Sequence, residues 1–137
     1  MNFKFLLSVF IMTFLSVSAI SQTCILDIGS KNVENITKTF QLNKEQIHSL
    51  DSLRTQLISE RDLQENEVKK LLETHPQSTP DELLILAKKH KALEDSMFET
   101  TIIYDQKLIS LFNAKQYERY VLLCTSANRT PISKQEE

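Results

Sequence analysis

Glycine occurs once in this chain of 137 residues, proline three times and tryptophan not at all. Glycine and proline are the residues at which chains reverse direction, so their scarcity leaves few places for tight turns. Sheets and barrels need many turns and a few long helices need very few, so the composition favours an all-α fold. Cysteine is equally sparse: Cys24 and Cys124 stand alone, with neither metal-knuckle nor CxxC redox spacing. There is no Gly-rich phosphate loop, no GxSxG and no Cys/His constellation, so neither an enzyme nor a cofactor is expected. An excess of basic charge is also missing, since 16 Lys and Arg against 18 Asp and Glu leave a formal charge of −2. Nucleic acid and anionic membrane surfaces select for basic patches and are not the expected partners.

Long apolar runs are absent except at the start, where Phe5 to Val17 follow Lys4 as a run of 13 residues. That falls short of the roughly 20 residues that span a bilayer and suits the core of a signal peptide. Ala19-Ile20-Ser21 sets small residues three and one positions before a cut, so residues 1–21 read as a leader removed before Gln22. Processing takes away Lys4 and no acid, which moves the formal charge from −2 to −3. No second apolar stretch follows, and stable membrane insertion is not expected.

Outside the cytoplasm a disulfide is chemically permitted. Cys24 and Cys124 lie one near each end of the processed chain, so a staple within the chain is the first reading and a bond between subunits the second. A catalytic thiol ranks well below both, because no His is near either residue. Closing a loop of about 100 residues stabilises by up to about 4.7 kcal/mol on the chain-entropy model.

Residues 22–42 form an N-terminal extension in which Gly29 and Ser30 mark a break, and Val33, Ile36 and Phe40 allow a short helix. Asn43-Lys44-Glu45-Gln46 is a strong start signal. The Asn oxygen can cap an orphan N–H of the first turn, and Gln three residues on can reach back to the cap's own N–H. No Gly or Pro then intervenes until Thr74, and Ile47, Leu50, Leu53, Leu57, Val68, Leu71 and Leu72 fall near one helical stripe. Residues 75–79 break the helix, since Pro76 disfavours helical geometry at His75. Thr79-Pro80-Asp81-Glu82 restarts it, with Pro at the first helical position.

The second long helix is expected from Pro80 to about Phe112. Two rods of equal length with so short a connection make a long antiparallel helical hairpin. A turn at residues 77–78 would set Leu71 beside Leu84, Leu57 beside Phe98, Leu53 beside Ile102 and Leu50 beside Asp105. The same register puts Arg61 near Glu94, and Gln64 or Glu65 near His90, giving the seam a polar waist. Asn113-Ala114-Lys115-Gln116 opens a third, shorter helix, so the hairpin and third helix together cover residues 43–125. Residues 126–137 read as a polar, flexible tail.

Leu42-Asn43-x-x-Gln46 and Phe112-Asn113-x-x-Gln116 are two copies of one pattern, apolar-Asn-x-x-Gln. One copy would mean little; two, each opening a helix at the same end of a hairpin in an exported chain, are more telling. The arrangement resembles the Spy/CpxP family of periplasmic stress proteins, which carry two LTxxQ motifs, over roughly residues 36–124. Asn43 and Asn113 stand where that family usually has Thr, which keeps the capping chemistry, and Phe112 stands where it has Leu. The resemblance implies an ATP-independent periplasmic chaperone or envelope-stress protein that binds unfolded proteins as a homodimeric cradle. It also implies that Leu42, Asn43, Gln46, Phe112, Asn113 and Gln116 shape helix ends and perform no chemistry.

A metal-responsive or metal-resistance protein of the same fold is the alternative, with a structural adaptor for one partner as a third reading. His48, His75 and His90 are scattered, and His75 with Glu73 and Asp81 is only a loose cluster, so no metal site is assigned. Met97, Phe98, Ile102, Ile103 and Tyr104 form an apolar band too broad for one seam. Its surplus is expected to serve a dimer or client surface, as exposed apolar patches commonly do.

Overall fold

The computed structural model describes residues 22–135. The expected leader, residues 1–21, lies outside them, as do the last two residues. Four helices account for most of the described chain: α1 (Val33–Phe40), α2 (Lys44–Thr74), α3 (Pro80–Ser110) and α4 (Ala114–Ser126). Among the described residues the fold is all-α, with a single isolated bridge between Thr23 and Thr130. No helix there is long and apolar enough to cross a membrane.

Local chemistry sets the helix starts. Asn43, Thr79 and Asn113 each accept a hydrogen bond from the backbone N–H three residues on, and Gln46, Glu82 and Gln116 each accept one from the cap's own N–H. Such a cap is worth about 0.5–2 kcal/mol, and Pro80 adds a φ already suited to the first turn. Left-handed turns fall to non-glycine residues in this glycine-poor chain: Asp27, Gln41 and Asn128 have φ of 51°, 49° and 55°. Asp and Asn tolerate that region by bonding locally. Gln41 is held in it at the end of α1, where its N–H and that of Leu42 close on Lys38 and Thr37.

The core lies at one end of the long helices. Ile28, Ile36, Phe40, Leu42, Leu50, Leu57, Tyr104, Leu108, Ile109, Phe112, Tyr120, Cys124 and Ile132 form one buried cluster. Towards the corner at residues 75–79 the two long helices have little but each other, and between Leu57 and Thr100 in the sequence Leu86 is the one buried side chain.

α2 and α3 lie side by side in opposite directions, but not in the expected register. Arg61 bonds Thr101, where Glu94 was expected, and Gln64 bonds Thr100 and Ser96. On these side-chain contacts the offset is five to nine residues of α3, whereas Glu65 and His90 line one groove as expected. A slip of one heptad brings the same faces together, so apolar periodicity cannot distinguish the two registers. Side chains that lean towards each helix's N-terminus add to the apparent offset. The polar waist is thereby rebuilt from different pairs, namely Arg61–Thr101, Gln64–Thr100 and Glu60–Tyr104. It includes a buried acceptor, Gln64 Oε1, with no hydrogen-bond partner.

The expectation of a flexible tail is corrected over residues 127–135, which fold back onto the helices. Thr130 N–H donates to Gln22 O at 3.0 Å and Cys24 N–H to Thr130 O at 2.8 Å. Ile132, the lone large aliphatic in a polar stretch, is 6% exposed. Lys134 Nζ reaches Phe112 O at 2.6 Å, and this backbone carbonyl bond explains why a basic residue lies down on the fold.

Candidate functional site

The two copies of apolar-Asn-x-x-Gln meet. Gln46 Nε2 donates to Gln116 Oε1 at 2.8 Å, and Gln116 Nε2 donates to Gln46 Oε1 at 3.0 Å. Each amide also closes the preceding turn of the other copy, Gln46 on Leu111 O at 2.8 Å and Gln116 on Phe40 O at 3.0 Å. With each Oε1 also accepting its own cap N–H, both amides are saturated, as most buried polar groups are. Leu42 and Phe112, one residue before each cap, are 7% and 2% exposed. Phe112 stacks at 4.9 Å between centroids on Phe40, and Tyr120 meets both rings edge-on. The motif residues thus join the starts of α2 and α4 into one knot. The pairing of the glutamines across the knot was not foreseen. Its one sequence signal is that both occupy the third position of matching caps at one end of the fold.

Beside the knot, residues 22–32 cross the long helices as a strap. Asp105, fully buried on α3, accepts the N–H groups of Leu26 at 2.6 Å, Asp27 at 2.9 Å and Ile28 at 3.1 Å. Arg54 on α2 donates to the carbonyls of Ile28 at 2.8 Å and Ser30 at 3.1 Å. Arg61 Nη2 stands 2.8 Å from both Asp27 Oδ1 and Thr101 Oγ1. Gly29 passes so close that a Cβ there would lie 2.5 Å from Arg61 Nη1 and 3.1 Å from Leu57 Cδ2. Tyr120 OH donates to Cys24 O at 2.6 Å and accepts from Ile132 N–H at 2.9 Å. A disulfide joins Cys24 to Cys124 within the chain, 5.7 Å between Cα atoms.

Burial pushes the Asp105 carboxyl up to about 6, against the pull of its three backbone N–H bonds. A carboxylate removed from water favours its neutral form unless a cation compensates. The guanidinium of Arg61 pairs instead with Asp27. Asp105 is the buried polar site that sequence reasoning missed, because its partners are main-chain N–H groups that carry no residue signature.

The expected surface band divides. Phe98 and Ile103 are 46% and 51% exposed, Met97 is half-buried, and Ile102 packs against the core. Tyr104 is not on the surface: it is buried in the seam, where its hydroxyl donates to Glu60 at 2.9 Å and Lys107 stands 4.3 Å over its ring. Burial, then Glu60, raises its pKa. Further aliphatics meet water along the long helices, among them Ile58, Leu63, Leu83, Leu84 and Ile85.

The histidines are not brought together. His90 shares an open groove of about 340 Å³ with Glu65, Val68, Glu94 and Met97, and His75 Nδ1 lies against Pro76 O at 2.8 Å. Among the described residues no group of three His, Cys, Asp or Glu is placed to hold a metal ion, the loose cluster around His75 included. No family model matches this chain, and neither a curated protein nor a solved structure is significantly similar to it.

Proposed function

We propose that this chain is an ATP-independent periplasmic chaperone of the Spy/CpxP kind, a homodimeric cradle of helical hairpins that holds unfolded envelope proteins and prevents their aggregation. The observation that carries the reading is the number of large apolar side chains left in water on α2 and α3, among them Ile58, Leu63, Leu83, Phe98 and Ile103. Apolar surface of this extent gains about 25 cal/mol for each Å² removed from water, and an unfolded polypeptide supplies apolar side chains without a fixed sequence. Charged residues interspersed on the same helices keep such a surface dispersed until a client covers it. The knot of capping residues supports the reading by joining α2 to α4 at one end, so that the long helices are held from that end. The leader expected over residues 1–21 and the disulfide both suit an oxidising compartment outside the cytoplasm.

The test is light scattering of a denatured client diluted into buffer without nucleotide. The processed protein suppresses aggregation near stoichiometric ratio, and Phe98→Asp with Ile103→Asp abolishes at least most of the effect while helicity by circular dichroism is unchanged. Full suppression by that folded double variant would remove the band from the mechanism.

A further inference from the structure

We propose that the groove beneath the strap is a main-chain-reading site for a turn-forming segment of unfolded polypeptide, kept filled by the chain's own residues 24–30 while Cys24 and Cys124 are joined. In those residues Asp27 has φ 51° and Ser30 N–H closes on Asp27 O. The identity of the occupant rests on the chaperone reading above; the site itself rests on how the strap is held. Asp105 accepts three consecutive backbone N–H groups and Arg54 donates to two backbone carbonyls, so five of the strap's contacts are to atoms that every peptide segment possesses. Side-chain selection falls at four places: Leu26 packs against the core, and a Cβ at Gly29 would lie 2.5 Å from Arg61 Nη1. Ile28 enters the buried cluster that contains Leu57 and Leu108, and Asp27 meets Arg61 at 2.8 Å. A segment carrying an aliphatic residue at the Ile28 position, followed by glycine and preceded by Asp or Asn, which tolerate the left-handed conformation, satisfies the same groups.

The strap is the site's present occupant, and its covalent hold is the disulfide. Reduction by a dithiol delivers two electrons and two protons. The dithiol's sulfurs bond to each other as the Cys24–Cys124 bond breaks, and each cysteine leaves as a thiol. Tyr120, Thr130 and the Asp105 bonds then hold the strap without a covalent staple. Because residue 32 still tethers it to α1, it competes at an effective concentration in the mM range, as for a short flexible linker. Reduction alone therefore loosens the strap, and weakening the Ile28 anchor as well empties the groove.

The probe is a fluorescent synthetic peptide of residues 23–31 carrying Cys24→Ser. Its binding is measured by anisotropy to the oxidised wild type, and to the wild type and Ile28→Ser after reduction. Binding at least ten-fold tighter to reduced Ile28→Ser than to the oxidised wild type is expected. That gain disappears on adding Asp105→Ala, or on using a peptide N-methylated at the positions of Leu26 and Ile28. Equal binding in all states, or undiminished binding of the N-methylated peptide, overturns the proposal. Should reduced Ile28→Ser lose helicity, hydrogen exchange on the wild type decides. The amides of Leu26, Asp27 and Ile28 exchange at least ten-fold faster after reduction, and unchanged protection overturns the gate. Aggregation assays on the same samples separate the two ideas. Peptide binding without suppression refutes the chaperone reading and leaves the site; suppression without peptide binding in any state refutes the site and leaves the chaperone.

Discussion

Replacing Asp105 by Asn tests whether a buried carboxylate governs the fold's response to pH. The carboxyl titrates at about 6 in the folded chain against 3.8 in the unfolded one. Between those values the native state keeps a proton that the unfolded state has released, so stability falls as pH rises from about 4 to 6. Below that window both states are protonated, and above it both are ionised and the cost is complete. A shift of about two units corresponds to about 3 kcal/mol. Asn keeps the shape and removes the charge, but it sets one amide NH₂ against an N–H that the carboxylate accepted. One lost buried bond costs about 1–3 kcal/mol. At pH 7 loss and relief nearly cancel, so wild type and variant should unfold at similar urea concentrations. At pH 4 the wild type should be the more stable by about 1–3 kcal/mol, the lost bond alone. Urea titrations followed by circular dichroism at pH 4, 5, 6 and 7 make the comparison, with the difference between the proteins as the readout. A difference that is independent of pH, or that grows towards pH 7, would refute the reasoning and show that the three N–H bonds outweigh burial.

Opening the Cys24–Cys124 disulfide should lower stability by up to about 4.7 kcal/mol, the chain-entropy value for a loop of this length, measured by urea titration with and without a dithiol. Gln46→Ala and Gln116→Ala should each cost about 1–3 kcal/mol by leaving the other's amide buried and under-satisfied. A double-mutant cycle should return a coupling of about 0.5–3 kcal/mol, and strict additivity would deny the pair. Hydrogen exchange should be faster by at least ten-fold in residues 64–97, where Leu86 alone is buried, than in residues 46–57 and 104–124; uniform protection would contradict a core confined to one end.

Much of the fold is written in short-range chemistry. The caps at Asn43, Thr79 and Asn113 need only neighbours within one turn, so residue type and spacing reveal them. Residues 75–79 interrupt because Pro76 and Pro80 act on their own backbone. Register is a different kind of fact. An offset of about one heptad between α2 and α3 preserves every apolar face, so periodicity does not encode which polar side chains meet across the seam. The strap was missed for a related reason: residues 22–32 have no repeat, and Asp105 was placed only as the register neighbour of Leu50. An isolated acid at a seam position, opposite a segment rich in Leu and Ile, was the available signal. Ile132 was a comparable signal for the docked terminus, where polarity alone suggested mobility. Tyr104 was misplaced because a band broader than one face does not say which of its members turn inward.

The claim that α3 presents an apolar surface to unfolded proteins is tested most directly by placing a photo-crosslinking side chain at position 98 and, separately, at Glu118, an exposed site on α4. With a denatured client and no nucleotide, illumination should yield client adducts from position 98 and few or none from position 118. Equal yields at both, or none at position 98 while aggregation is still suppressed, would contradict the account.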